Sequence, residues 1–170
     1  MPIDNCPHSF EHLATVVLPG YMAQLCEAIK RPHNAGDFAK PGVGLVSIAK
    51  SLGHSADFSG CYVLLEKAKP IYVGISRSVL SRIRQHVTGK THSDASLAYA
   101  VAQRRRPTPG NRSHVMGDEV FQDEFMKAQQ YLRELSVAFI EIDNPLELYV
   151  FEAYASMALK TSEWNTFRTH

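Results

Sequence analysis

The 170-residue chain has no apolar run approaching the length of a membrane span, no internal repeat, no low-complexity tract and almost no net charge. Each absence narrows what it can be. Without a membrane-length run, and without a basic segment followed by an apolar one at Met1–Asn5, the expectation is a soluble, cytoplasmic protein with no membrane partner. The three cysteines, Cys6, Cys26 and Cys61, are scattered and form no CxxC pair, which excludes a disulfide framework and fits a reducing compartment. Cys6, His8 and His12 match no common zinc spacing and lack a fourth ligand. The balance of 18 Lys and Arg against 17 Asp and Glu rules out a bulk polycation, so any nucleic-acid contact must come from a local patch. Gly42-Val43-Gly44 lacks both a preceding strand and a third glycine, so it is no dinucleotide fingerprint. Zinc-finger, helix-turn-helix and tandem recognition signatures are absent as well.

What is present suits one compact domain. The 45% hydrophobic content can supply a core at this length. Residues 9–30 carry helical apolar spacing interrupted at Pro19-Gly20, which predicts two short helices. A loop over Arg31–Gly44 and a short helix over Leu45–Leu52 follow. The first 58 residues bury little by themselves and are expected to form a helical extension packed on a core domain of residues 59–170. Further on, Ser93–Gln103 reads as helix, Arg104–Arg112 as an exposed loop, and Asp118 as the N-cap of a helix burying Phe121, Phe125 and Leu132. Ser136–Ile142 alternates as a strand. Asn144-Pro145-Leu146-Glu147 then gives an N-cap, a proline at the first helical position and an acid at the third, opening a helix that reaches about Lys160.

The chemistry gathers around residues 60–86. Gly60–Leu65 and Pro70–Gly74 read as the strands of one hairpin turning at Glu66–Lys69. The strand period of two puts Cys61, Val63, Ile71 and Val73 on one face and both Tyr62 and Tyr72 on the other. In the following helix Val79, Leu80, Ile83 and Val87 form the packing stripe, with Arg82 and His86 on one edge, Arg77 and Arg84 on the other, and Ser76 or Ser78 as cap. Two phenols, an arginine and a histidine so delivered suggest a hydrolytic site acting on phosphate. Far along the chain, Glu152 interrupts a helix that is apolar on nearly every side, where an unpaired carboxylate is costly unless it meets a cation.

This set resembles the GIY-YIG nuclease superfamily. Gly60-Cys61-Tyr62, Tyr72-Val73-Gly74, Ser76, Arg82, His86, Glu152 and Asn165 carry the resemblance in order, from about Gly60 to Phe167. Cys61 and Val73 replace the usual isoleucines at apolar positions. The resemblance implies an α+β fold with a small three-stranded antiparallel sheet flanked by helices. It also implies a metal-dependent endonuclease acting on DNA, with Mg²⁺ or Mn²⁺ held by Glu152. Tyr62 would act as general base, helped by His86 or Tyr72. Arg82 would bind the phosphate oxygens, and Asn165 would position substrate or the phenol network. Ser76, Arg77, Arg84, Lys90, Arg104, Arg105, Arg106 and Arg112 are the candidate nucleic-acid contacts, and His92 is a loose candidate for a second histidine. The small size suggests either a homodimer or single-strand nicking. The rival reading is a nucleic-acid-binding module on the same fold that does not cut.

Overall fold

The computed structural model describes residues 2–167. The last three residues of the domain expected over 59–170 lie outside that range. The described residues form two compact units, 2–33 with Asp57–Val79 and 136–167, and Asn34–Ala56 with Leu80–Leu135. The first 58 residues are thus shared between the two units.

In the first unit, β2 (Gly60–Glu66) pairs antiparallel with β3 (Lys69–Ser76) on one side and β4 (Ser136–Glu141) on the other. A two-residue strand, β1 (His33–Asn34), completes the sheet order β1-β4-β2-β3. The sheet therefore has four strands where three were expected. The extra one lies in the segment read as a loop, because two residues show no periodicity. As the central strand, β2 is buried from Gly60 through Leu65. Lys67 and Ala68 turn the hairpin, both at positive φ (48° and 66°), which gives the two-residue turn whose twist matches that of the strands. Beyond it the register shifts between Leu64 and Leu65, so that Ile71 bulges beside Pro70, which has no N–H to offer.

Cys61, Val63, Leu65, Val73, Ala138 and Ile140 share a core with Leu18 and Leu25 of α2 (Leu18–Ile29) and with Leu148, Phe151 and Ala155 of α8 (Pro145–Ala158). Asn144 caps α8, its side chain accepting from the N–H groups of Leu146 and Glu147. The predicted break at Pro19-Gly20 does not occur. One helical run extends from α1 (Phe10–His12) through a π turn at Leu13–Val17 into α2. Pro19 follows the π turn, which is closed by Leu18 N–H on the Leu13 carbonyl, so its missing N–H falls at the junction where the ladder changes from π to α spacing.

The second unit is helical, built from α3 (Leu45–Ser51), nearly all of α4 (Val79–Thr88), α5 (Ser96–Arg105), α6 (Arg112–Val115) and α7 (Glu119–Glu134). Asp118 caps α7, and Phe121, Phe125 and Leu132 are buried as its periodicity requires. The end of α4 is finished by α7, since Arg133 Nε donates to the Val87 carbonyl (2.9 Å) and the Gln129 amide to that of Gly89 (2.6 Å). These bonds satisfy carbonyls that a helix terminus leaves without intrahelical partners.

Positive φ at a residue carrying a Cβ is strained, so Ala68→Gly should stabilise the protein by about 1 kcal/mol. Urea unfolding checks this through a higher midpoint at unchanged slope.

Candidate active site

Both motif glycines are dictated by close approach. Gly60 faces Glu141 on β4, and a Cβ there would overlap the Ile140 carbonyl oxygen. Gly74 faces Tyr62 across the hairpin, and a Cβ there would overlap the phenol at Cζ and Oη. The Tyr62 ring thus lies over bare backbone, 1% exposed. The Tyr72 ring lies 6.2 Å away, on the face the strand alternation assigns to both phenols.

The chain reverses after α8 at Lys160, which takes the left-handed conformation (φ 56°). The reversal carries Asn165 back to β3. There its Oδ1 accepts from Val73 N–H (2.9 Å) and its Nδ2 donates to the Val73 carbonyl (2.7 Å). Both ends of the amide are committed to the strand between Tyr72 and Gly74.

Glu152 lines a cavity of about 370 Å³ together with Ser76, Arg77, Asp143, Tyr149 and Ser59. Leu148, Tyr149 and Glu152 face it from successive turns of α8, while Phe151 sits in the core. The helix is less enclosed than its composition predicts, as Tyr149 and Met157 are exposed. Burial raises the Glu152 carboxyl above the ordinary glutamate range. It also raises the neighbouring Cys61 thiol, with the Glu152 charge adding to the effect. Neither phenol forms a wall of this cavity. The packing explains it, because α8 covers the Cys61/Val63 face and the phenols leave the opposite one. Tyr62 Oη lies against Gly74, and the residues that follow it in β3 and just beyond, Ile75 to Arg77, line the cavity. Ser76 also accepts from Ser78 N–H (3.0 Å) ahead of α4.

The lining of this cavity includes Ser59, Ser76, Asp143 and Glu152, residues whose side-chain oxygens are of the kind a hard divalent cation takes. Among the described residues no three His, Cys, Asp or Glu side chains gather to cage an ion by themselves.

The remaining candidates belong to the second unit. Arg82 donates to the Asp94 carbonyl (2.8 Å), Ser96 Oγ (2.8 Å) and Gln85 Oε1 (3.1 Å), pinning α4 to the start of α5. A guanidinium carries five N–H donors, so part of the fork is left for a phosphate. Arg84 donates to the Val43 carbonyl (2.7 Å). His86, expected on a helix edge, is instead 1% exposed within the packed side, three residues on from buried Ile83. Burial, helped by the Arg82 charge, pushes its pKa down to about 3, so it is neutral at physiological pH.

The segment expected as an exposed loop over Arg104–Arg112 is partly helical, since Arg104 and Arg105 close α5 and Arg112 opens α6. The Gln103 amide bonds Thr108 through both its N–H and its carbonyl (2.7 and 2.9 Å), bracketing Arg104–Arg106. Arg105 lies over the Tyr131 ring (5.1 Å) and Arg112 over that of Tyr99 (5.6 Å). Lys90 and His92 line a separate cavity.

Sequence reasoning missed Asp143, which no periodicity distinguishes from a turn residue, and the burial of Glu147. Tyr21 donates to Glu147 (2.6 Å), Cys6 Sγ lies at 3.7 Å and His8 Nε2 at 3.7 Å. The Cys6 and His8 weighed for zinc thus pin the N-terminal segment to the start of α8.

Two outcomes follow from this geometry. Gly74→Ala should destabilise the protein by about 1–3 kcal/mol through overpacking. In combination with Tyr62→Ala its cost should shrink, and a double-mutant cycle in urea measures that coupling. For His86, the unfolded chain takes up a proton below about pH 6.5, whereas the folded one resists until about 3. Stability should therefore fall progressively as pH drops through that window, and His86→Gln should flatten the fall, as read by thermal melts from pH 7 to 3.

A family model described as the GIY-YIG catalytic domain matches residues 58–157. No curated protein and no solved structure matches the chain. The matched span runs from two residues before the hairpin to the penultimate residue of α8, enclosing both tyrosine motifs, Arg82, His86 and Glu152, and the chain belongs to the GIY-YIG family of nuclease-type domains.

Proposed function

We propose that this protein is a divalent-metal-dependent endonuclease that hydrolyses phosphodiester bonds in DNA, with Mg²⁺ or Mn²⁺ as its cation. One observation carries the reading: a desolvated carboxylate, Glu152, shares a cavity with Ser76 and Arg77, the residues directly after the second tyrosine motif.

Burying a carboxylate that merely decorates a helix is unfavourable, and a cation offsets that cost. Glu152 would hold the ion, with Asp143 and the Ser59 and Ser76 hydroxyls within the same cavity to receive its water shell. When bound, the cation supplies Lewis-acid stabilisation of charge on the scissile phosphate and the leaving oxygen. Arg77 contributes positive charge for a phosphate in that cavity, and the uncommitted donors of Arg82 serve as a phosphate contact of the second unit. Tyr62, as its phenolate, takes the proton of the attacking water. Its hydroxyl reaches Gly74, one residue short of the cavity wall at Ile75, and Tyr72 stands beside it. His86 stays neutral in its buried position and resists protonation, so no proton-accepting step is assigned to it in this reading. Asn165 acts as a positioning residue, fixing β3 between Tyr72 and Gly74.

The second unit supports the choice of substrate. It holds 11 Lys and Arg against seven Asp and Glu, while the first holds six against ten, so the near-neutral total conceals a basic half. Arg84, Lys90, Arg104, Arg105, Arg106 and Arg112 all lie in that half and serve as phosphate contacts in this reading. The rival, binding without cleavage, predicts salt-sensitive DNA binding with no nicking. The homodimer gains no support from the fold.

Purified protein should nick or linearise plasmid with Mg²⁺ and be silenced by chelator. Glu152→Gln should lower cleavage by about a hundredfold or more, and Tyr62→Phe, which keeps the packing over Gly74, by a similar factor. Full activity in Glu152→Gln, with circular dichroism showing an intact fold, would refute the assignment.

A further inference from the structure

A second cavity, of about 590 Å³, lies wholly within the basic unit, and of its lining only Lys90 enters the nuclease reading. Its walls come from the α4–α5 connection, from α6 and from α7. The volume falls inside the roughly 300–1,000 Å³ typical of small-molecule sites. Phe125, 4% exposed, and Met126, 60% exposed, give it apolar surface of the kind on which a planar ring packs.

The polar lining is more selective. The Gln129 amide donates to the Gly89 carbonyl (2.6 Å) and the Gln122 amide to the Met116 carbonyl (2.8 Å). A carbonyl can only accept, so these bonds fix which end of each amide is NH₂ and leave both amide oxygens as acceptors for whatever occupies the cavity. Acceptors complement the exocyclic amino groups of adenine, cytosine and guanine. Lys90, on the same wall, supplies a cation for the attached phosphate. Beside it, His92 lines the cavity and meets the Tyr99 ring, over which Arg112 lies.

We infer that this cavity receives an unpaired nucleobase bearing an amino group, with Lys90 on its phosphate, and so favours DNA carrying a bulged base over a fully paired duplex. An apolar ligand would leave two fixed acceptors and a lysine unused. A paired base is held inside its stack and cannot enter, whereas a bulged one leaves at little cost. The inference rests on the DNA-binding part of the function proposed above and extends it to the form of the substrate.

The test is a titration in chelator, so that nothing is cut, comparing a paired duplex with one of equal length carrying a single bulged 2-aminopurine. Wild-type protein should bind the bulged duplex about tenfold more tightly, with a rise in 2-aminopurine emission as the base leaves the stack. Met126→Glu, a change at an exposed position, should reduce the ratio of affinities to less than about twofold and abolish the rise, whereas Met126→Leu should retain both. Equal affinity of the wild type for the two duplexes, or a preference that survives Met126→Glu, overturns the inference. Restoring Mg²⁺ separates the two readings. Failure of the wild type to cleave either duplex removes the nuclease assignment, while the affinity ratio measured in chelator still decides the base pocket.

Discussion

Everything near the site depends on a phenol lying against a glycine. The Tyr62 ring covers Gly74 across the hairpin, and the space it fills is the space a side chain at Gly74 would need. That contact seals one face of the sheet while leaving the hydroxyl at β3, next to residues that line the Glu152 cavity. It also fixes strand register, because slipping the pairing by one residue would bring the ring against a residue bearing a Cβ and turn the apolar set of β3 to the wrong face. The same requirement recurs at Gly60, where the neighbour is the Ile140 carbonyl on β4. The two glycines of the motif are thus spacing elements that let a large aromatic and an adjacent strand come close.

The two units divide the physical work unequally. The first holds the sheet, both phenols, the buried Glu147 and the half-buried Glu152, and is net acidic. The second is helical, net basic and rich in guanidinium groups already fastened by bonds or stacking, as at Arg82, Arg84, Arg105 and Arg112. Fastened arginines bind phosphate with less loss of conformational entropy than free ones. A chain judged only by its net charge of +1 would be misread, since the balance is a sum of two opposed halves.

Much of this was legible in the residues. The hairpin, the capping of α7 by Asp118 and of α8 by Asn144, and the shared face of Tyr62 and Tyr72 follow from period and cap chemistry, which are local. Features that depend on partners distant in sequence were not. Asn165 looks like a turn residue until the reversal at Lys160 brings it to Val73, 92 residues earlier. Glu147 reads as an ordinary first-turn acid, and only the return of Tyr21 and Cys6 to it shows why it is buried. His86 seemed to lie on a helix edge, but whether an edge is wet is decided by what packs on it. The helix through Pro19 was hidden for another reason: a π turn just ahead shifts the proline into a harmless position, and no composition rule signals that turn.

The grip of Asn165 on Val73 has a consequence beyond the site. Because β3 is the outermost strand of its sheet, the N–H and carbonyl of Val73 are groups that another polypeptide could bond. One carboxamide occupies both, in the manner of a single residue of an additional strand. The segment that completes the fold is therefore also its guard against edge-to-edge association, and a protein cut short before residue 165 would expose a sticky margin in the middle of its most apolar hairpin.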